Sequence, residues 1–467
     1  MKYQPVSDKL KSQIGAIIGS EHVYTRQEVL QEYSHDETED LIYLPELVVK
    51  PGNGSEIAAI LKLCTEERVP VTPSGARTGL SGGALPVKGG INLSTERLKK
   101  IIEIDSRNLQ ATVEPGVINQ VFHNACKEQG LYYPPDPSSW GSSFLGGNIA
   151  LNAGGPKAVK YGVTGAYVLN LQVALPTGEL IWTGANVLKN STGFNLTQLM
   201  VGSEGTLGIV TKAVLRLIPY PRHAMLMLIP FQSAEKACQA VSAIFRAGIT
   251  PSAMEFMERT AIDYTLKYVE DVQLRVADEV EAHLLVEVDG NHLEVLMKDC
   301  ENIADIVEDF GAGEILFADN QNDKDALWKL RRRVAEAVKS HSVYKEEDTV
   351  VPRAELAALL GGVKKIGRKY GFTSFCYGHA GDGNLHVNIV KADMSDKAWH
   401  EELPKGIREI FELVKDLGGT ISGEHGIGWV QKSYLDVVFP PKMLELHQLI
   451  KSAFDPAGIM NPGKIFD

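Results

Sequence analysis

Hydrophobic positions along the chain fall into two regimes, with a change near Pro219-Tyr220-Pro221. Before that point, residues 1–35 read as a mostly helical lead-in. Residues 47–50 make a short apolar strand, and Ser55 is placed to cap a helix through about Glu67. Residues 69–73 give a second strand, so the chain opens on a compact β-α-β unit. Residues 117–129 read as a helix stopped by Gly130. Segments near 168–175, 179–182 and 208–218 are apolar and β-branched, hence strands. After the change, strands at 224–231 and 282–289 alternate with amphipathic helices at 233–247, 293–309 and 323–341. That pattern predicts an α+β domain with an antiparallel sheet of ferredoxin-like type. The expected division is a helical lead-in over 1–40, a first domain over 41–219, a cap domain over 220–420, and a segment 421–467 returning to the first domain.

Composition narrows the class. The 467 residues are 44% hydrophobic and 23% charged, an ordinary soluble, globular balance. A net charge of −12 argues against general nucleic-acid binding. No run approaches the ~18 apolar residues of a membrane span, and the polar start MKYQPVSDKLKSQIG does not read as a signal peptide. The five cysteines, Cys64, Cys126, Cys238, Cys300 and Cys376, contain no CxxC pair. They read as buried reduced thiols of a cytoplasmic protein, not as disulfides or an iron–sulfur site.

Three Gly-rich segments carry the first candidate chemistry. Pro73-Ser74-Gly75-Ala76-Arg77-Thr78-Gly79-Leu80-Ser81-Gly82-Gly83 can bring backbone N–H groups to a diphosphate, with hydroxyls and Arg77 adding donors. A surface turn cluster is the plainer alternative. Neither GxGxxG nor GxxxxGK[ST] occurs, so the two commonest nucleotide motifs are absent. The second segment runs from Pro134-Pro135-Asp136-Pro137-Ser138-Ser139 into Gly146-Gly147-Asn148-Ile149-Ala150-Leu151-Asn152-Ala153-Gly154-Gly155. The third is Val201-Gly202-Ser203-Glu204-Gly205-Thr206-Leu207-Gly208-Ile209-Val210. The small residues of both suit close approach to a flat ring.

Together these segments resemble the FAD-binding domain of the vanillyl-alcohol oxidase / p-cresol methylhydroxylase superfamily. Their order is similar to the branch with D-lactate dehydrogenase, the glycolate oxidase FAD subunit and D-2-hydroxyglutarate dehydrogenase, over nearly the whole chain. The resemblance implies a two-subdomain FAD-binding domain followed by the α+β cap. It assigns FAD contacts to Pro73, Ser74, Gly75, Ala76, Arg77, Thr78 and Gly79, and to Pro137, Ser138, Gly146, Gly147, Asn148, Asn152 and Gly154. It adds Glu204, Gly205, Gly208, Ile209, Val210 and the near-terminal Asn461. Covalent relatives often carry His in the first loop. This loop has Arg77 and Thr78 instead, which favours non-covalent FAD.

A second chemistry lies in Gly378-His379-Ala380-Gly381-Asp382-Gly383-Asn384-Leu385-His386-Val387-Asn388. Asp382-Gly383 is a favoured two-residue hairpin turn, which would set His379 directly across from His386, with Cβ atoms roughly 4.5–5.5 Å apart. Asn388 would share their face. Ser422-Gly423-Glu424-His425-Gly426-Ile427-Gly428 can supply a carboxylate and a further imidazole. Two His and one carboxylate suit a divalent metal, zinc ahead of iron or manganese. Hydrogen-bonded structural histidines are the alternative. The resemblance implies His379, His386 and Glu424 as ligands and His425 as the base. The resemblance also implies that Arg331, in Leu327-Trp328-Lys329-Leu330-Arg331-Arg332-Arg333, takes the substrate carboxylate; a solvated basic helix face is the plainer alternative, and Arg332 or Arg333 could point inward instead. Asn388 and Lys345 complete the expected substrate contacts. Ala335 stands where the resembling D-2-hydroxyglutarate enzymes tend to have Thr, a departure that disfavours a 2-hydroxy diacid, and the acidic Glu346-Glu347-Asp348 would repel a second carboxylate if it faces the site.

The expected activity is oxidation of a small D-2-hydroxy acid, D-lactate or glycolate, to the 2-oxo acid. An O₂-using alcohol oxidase of the same superfamily and a non-catalytic electron-relay flavoprotein are the competing readings. The histidine pair argues against the first, and His425 with the metal pair against the second. With no CxxC, haem attachment site or nicotinamide fingerprint, electrons are expected to leave to a separate acceptor. That acceptor is an iron–sulfur subunit, an electron-transfer flavoprotein or a quinone system reached from the inner face of the membrane. A homodimer is compatible with this reading.

Overall fold

The computed structural model describes residues 3–38, 41–269, 272, 274–318 and 320–466, without the side chain of 341. The chain forms two units. One comprises Met1–Gly154, Val163–Tyr220 and Glu424–Asp467, and the other Gly155–Gly162 with Pro221–Gly423.

The first unit is built on the β-α-β start. Strands Leu47–Val49, Ile91–Ser94 and Val71–Ser74 lie side by side and parallel, and Val23–Tyr24 adds an antiparallel edge. The crossover helix Gly54–Glu67 buries Ile57, Ile60, Leu61 and Cys64 against this sheet, the 3.6-residue apolar stripe that period predicts. Its cap is Asn53, not Ser55: Asn53 is extended and its Oδ1 accepts from Glu56 N at 3.0 Å. The C-terminal tail joins the parallel sheet, with Asn461 N donating to Val71 O at 2.8 Å. A second, antiparallel sheet runs Ile101–Asp105, Gln110–Val113, Ile209–Arg216, Val168–Ala174, Leu180–Trp182.

The second unit carries one antiparallel sheet of seven strands among the described residues, larger than a ferredoxin-like core. Its order is Leu316–Phe317, His223–Phe231, Ala282–Gly290, Ala253–Glu258, Thr373–Gly378, Asn384–Val390, Tyr344–Val350. Side chains alternate between its faces. One face packs Leu226, Leu228, Leu285, Met257 and Phe375 against helices Arg259–Tyr268, Gln321–Arg332 and Val334–His341. The expected single helix over 323–341 is therefore two, divided at Arg333. No described helix is long and apolar enough to cross a membrane. All five cysteines are buried and unpaired.

Candidate functional site

In the first unit, Val71–Ser74 ends by delivering the first glycine loop. Ser74 Oγ donates to Asn92 Oδ1 at 2.6 Å, and Ser74 O accepts from Thr95 N at 3.0 Å, fixing the loop's entry. Gly75 lies against the second Gly-rich segment: a Cβ there would stand 3.6 Å from Phe144 and 3.9 Å from Gly147 N. At Gly147 a Cβ would meet nothing within 4 Å, and at Gly79 only Leu151 at 3.8 Å, so both segments present bare backbone to open space. The third segment joins them closely. Gly205 has φ +67, and a Cβ there would stand 2.5 Å from Pro73.

Asn461 fastens this assembly. Its Nδ2 donates to Gly83 O at 3.0 Å and Glu204 O at 2.8 Å, tying the glycine loop, the third segment and the tail together. The Glu204 carboxylate accepts from the backbone N–H groups of Ile427 and Gly428, each at 2.7 Å. Burial pushes this carboxyl up to about 7, while the two amides pull it back. Buried Lys464 is pushed down to about 7 by desolvation, against the attraction of Asp36 and Glu204.

The donors present fit a flavin dinucleotide. Ser81 Oγ, Ser143 Oγ and Asn148 Nδ2 are buried without a hydrogen-bond partner among the described residues. Buried polar groups are rarely left so, and a polar ligand would satisfy them. Not every expected contact points this way. The Arg77 guanidinium pairs with Glu32 at 3.1 Å and stacks 4.0 Å from the Tyr33 ring centroid, so its charge is spent on the lead-in, not on a diphosphate. Asn152 Oδ1 accepts from Gly165 N at 2.8 Å. Gly208, Ile209 and Val210 pack into the antiparallel sheet beside Val173 and Ala174. Pro137 is buried, with its carbonyl accepting from Trp140 N, and Ser138 is exposed. Ala76 and Thr78 are half-buried in the loop, and Gly146 and Gly154 abut Pro115 and Glu424.

In the second unit the predicted hairpin register is wrong. His386 pairs across the strands with Tyr377, not His379. The connection is a 3₁₀ turn, Ala380–Asp382, followed by Gly383 at φ +79. A Cβ at Gly383 would fall 1.9 Å from Val351 O, so the neighbouring strand sets the turn. His379 nevertheless reaches the same face, its ring centroid 5.4 Å from that of His386 and nearly perpendicular. Both imidazoles are 3% exposed.

Alternation brings four more polar side chains to this face. Glu346 and Asp348 lie across from Asn388 and His386, with carboxylate oxygens 3.3 and 3.7 Å from His386 Nδ1. Asn388 is fully buried, and its Oδ1 has no hydrogen-bond partner among the described residues. Glu255, fully buried, accepts from His379 Nδ1, which lies 2.9 Å from each of its oxygens. Of the three candidate arginines, Arg331 is the buried one. Its Nη2 stands 2.6 Å from Glu255 Oε2, and its guanidinium lies 5.0 Å from the Tyr377 ring centroid. This contact is an ion pair and not an aligned hydrogen bond: neither Nε nor Nη2 finds an acceptor of hydrogen-bond geometry among the described residues. That edge of the guanidinium is the one that grips a carboxylate bidentately.

Lys345 is not brought to this group. It pairs with Ile389 on the opposite face, its Nζ 5.7 Å from the Trp399 ring centroid. Arg332 lies over Trp328, and Arg333 is partly exposed against Glu336. Glu424 and His425 open the last stretch of the first unit, directly after Gly423. Gly423 N and Ser422 Oγ donate to Asp348 Oδ2 at 2.7 and 3.0 Å, fixing the end of the second unit. Glu255 escaped the sequence reading. Its signal was a carboxylate set between Met254 and Phe256 in the interior of the strand Ala253–Glu258, where burial forces it to find partners.

Known proteins agree with this architecture. Residues 220–465 match the family "FAD linked oxidases, C-terminal domain", and residues 45–184 match "FAD binding domain". The glycolate oxidase subunit GlcD of Bacillus subtilis is 38% identical over 465 residues, covering 99% of this chain and 97% of its own. A D-lactate dehydrogenase of Anaerostipes hadrus is 38% identical over 457 residues, covering 96% and 95%. Among solved structures, p-cresol methylhydroxylase with substrate bound superposes with a TM-score of 0.81 at 17% identity, covering 100% of this chain and 99% of that one. The 4-ethylphenol oxidase of Gulosibacter chungangensis does so at 0.79 and 20% identity, covering 100% and 99%. The last two speak for the fold. The long matches at 38% identity go further, and by them this chain belongs to the FAD-linked oxidase family, as an FAD-dependent oxidoreductase of the D-lactate dehydrogenase and glycolate oxidase type.

Proposed function

We propose that this protein oxidises a small D-2-hydroxy monoacid, D-lactate or glycolate, to the 2-oxo acid, with non-covalent FAD and a divalent metal, zinc ahead of iron or manganese. The observation that carries the reading is one polar sheet face bearing two buried imidazoles and a buried guanidinium edge without aligned acceptors. The names of the two relatives supply the substrate class. His379 and His386 would hold the metal, joined by Glu424 on the strength of its sequence motif. The glycine segments of the first unit would hold the flavin. When bound, the metal lowers the pKa of the substrate hydroxyl and the flavin accepts the hydride from C2.

The residues of the chain do the rest. Arg331 grips the substrate carboxylate through Nε and Nη2, which fixes C2 relative to the protein. His425 takes the hydroxyl proton. Asn388 offers its buried amide to the substrate's polar end. Glu346 and Asp348 place negative charge on the same face, which disfavours a second substrate carboxylate and favours monoacids. The electrons would leave to a separate acceptor: an iron–sulfur subunit, an electron-transfer flavoprotein or a quinone system. Dye-linked turnover across short D- and L-2-hydroxy acids and their dicarboxylic analogues, with and without chelator, tests the proposal. D-lactate or glycolate should support turnover that chelator abolishes while bound flavin stays. Preference for a diacid, or indifference to chelator, contradicts it.

A further inference from the structure

A buried carboxylate among basic groups has to be accounted for, because removing a charge from water is costly unless partners replace the solvent. Glu255 is fully buried. His379 Nδ1 lies 2.9 Å from each of its oxygens, and Arg331 Nη2 lies 2.6 Å from Oε2. The strand holding it, Ala253–Glu258, pairs with Thr373–Gly378, whose next residue is His379. The contact is thus set by sheet register and not by flexible side chains.

This geometry has two chemical consequences. An imidazole whose Nδ1–H donates to a carboxylate is held in one tautomer, with its lone pair on Nε2 and its basicity raised. A guanidinium ion-paired to a fixed carboxylate is held in one place, with its Nε–Nη2 edge left without an aligned acceptor. We propose that Glu255 is a positioning residue that orients two groups at once: His379 as a metal ligand, and Arg331 as the carboxylate clamp. The inference rests on the metal and substrate reading above. It adds that metal retention and substrate affinity are coupled through this one carboxylate.

The substitution Glu255→Gln separates these roles from mere space-filling. A carboxylate accepts on both oxygens. A glutamine of the same shape accepts on one side and presents N–H donors on the other. With its amide oxygen where Oε2 stands it still faces both His379 and Arg331, but the negative charge is gone and an N–H donor is set against the His379 Nδ1–H. Metal content after dialysis against a competing chelator, measured by elemental analysis, is the first readout, and KM for the hydroxy acid is the second. In E255Q metal affinity should fall by about 10–100-fold, the range for lost outer-shell partners of metal-ligating histidines. KM should rise together with it, and flavin content should be unchanged because the glycine segments lie in the other unit. Glu255→Asp keeps the acceptor chemistry on a shorter arm and should recover part of both losses. It also serves as the test should E255Q fail to fold. Wild-type metal affinity and wild-type KM in folded E255Q would overturn the proposal, as would a loss in Asp as severe as in Gln. If the wild-type protein itself retains no metal, the metal reading above fails. The Glu255–Arg331 arm is then judged by KM alone, and an unchanged KM sinks it.

Discussion

Asn461 joins three segments that are far apart in sequence, so its removal should loosen the first unit as a whole. Its side-chain nitrogen donates to the carbonyls of Gly83 and Glu204. Asn461 is 1% exposed, so water cannot readily replace those bonds. Leaving two buried carbonyls without their donor costs about 2–4 kcal/mol, taking each at the lower part of the ~1–3 kcal/mol range for unsatisfied groups. Asn461 also sits at φ 42, in the left-handed region. There alanine adds ~1 kcal/mol of backbone strain that glycine avoids. N461A should therefore lose about 3–5 kcal/mol and N461G about 1 kcal/mol less. For a unit of this size, each kcal/mol lowers Tm by ~2–4 °C, which places N461A about 6–20 °C below wild type. Thermal unfolding followed by circular dichroism, alongside flavin fluorescence on release, measures both stability and cofactor retention. Flavin should be released earlier in both variants. A Tm for N461A within about a degree of wild type would refute the clamp. N461G behaving like wild type would assign the effect to strain alone.

Glu204 should make the unit's stability depend on pH. Its folded carboxyl is raised to about 7 from 4.5, so the native state binds the proton more tightly than the unfolded chain does. Stability from this group is greatest below about 4.5 and falls as pH rises toward 7. Above about 7 the depressed Lys464 works in the opposite sense. Across the lower window, the Tm difference between wild type and Glu204→Gln should shift in favour of the variant as pH rises, and a constant difference would contradict the assignment. Arg331→Lys keeps the charge but loses the bidentate edge. Its kcat/KM should fall by roughly 10–100-fold, mainly through KM, matching ~1.5–3 kcal/mol for charged hydrogen bonds, and an unchanged KM in steady-state assays would remove it from the substrate site. His425→Asn should depress kcat by about 10²-fold or more with little change in KM, as expected of a base acting in the transition state. Full turnover in that variant would exclude His425 as the base.

Much of the first unit was legible because its signals are local. The first parallel strand, Leu47–Val49, is apolar throughout, the crossover helix shows a clean stripe, and the glycine clusters mark where backbone must approach something closely. The second unit was harder. Tyr344–Val350 is given no element by the sequence pattern, its run Lys345-Glu346-Glu347-Asp348 being charged throughout, yet it is an edge strand whose Glu346 and Asp348 face the histidines. A strand that lines a polar site loses the apolar alternation by which strands are recognised. The His379–His386 register failed for a similar reason. Asp-Gly favours a two-residue turn in isolation, but here Val351 O crowds Gly383 and a 3₁₀ turn intervenes. The proximity of the two imidazoles was right and its derivation was not. Arg77 shows the converse error: a plausible phosphate ligand in sequence finds a closer acid and ring in Glu32 and Tyr33. Glu255 carries no motif, and only the sheet register reveals its two partners.

The most direct test of the central claim is anaerobic mixing of the flavin-loaded, metal-replete protein with D-lactate or glycolate, watched at the visible flavin band. At least one of these acids should bleach the flavin within turnover time, and the band should return when an artificial dye is added but not with NAD⁺. A flavin that stays oxidised with every short 2-hydroxy acid would contradict the account.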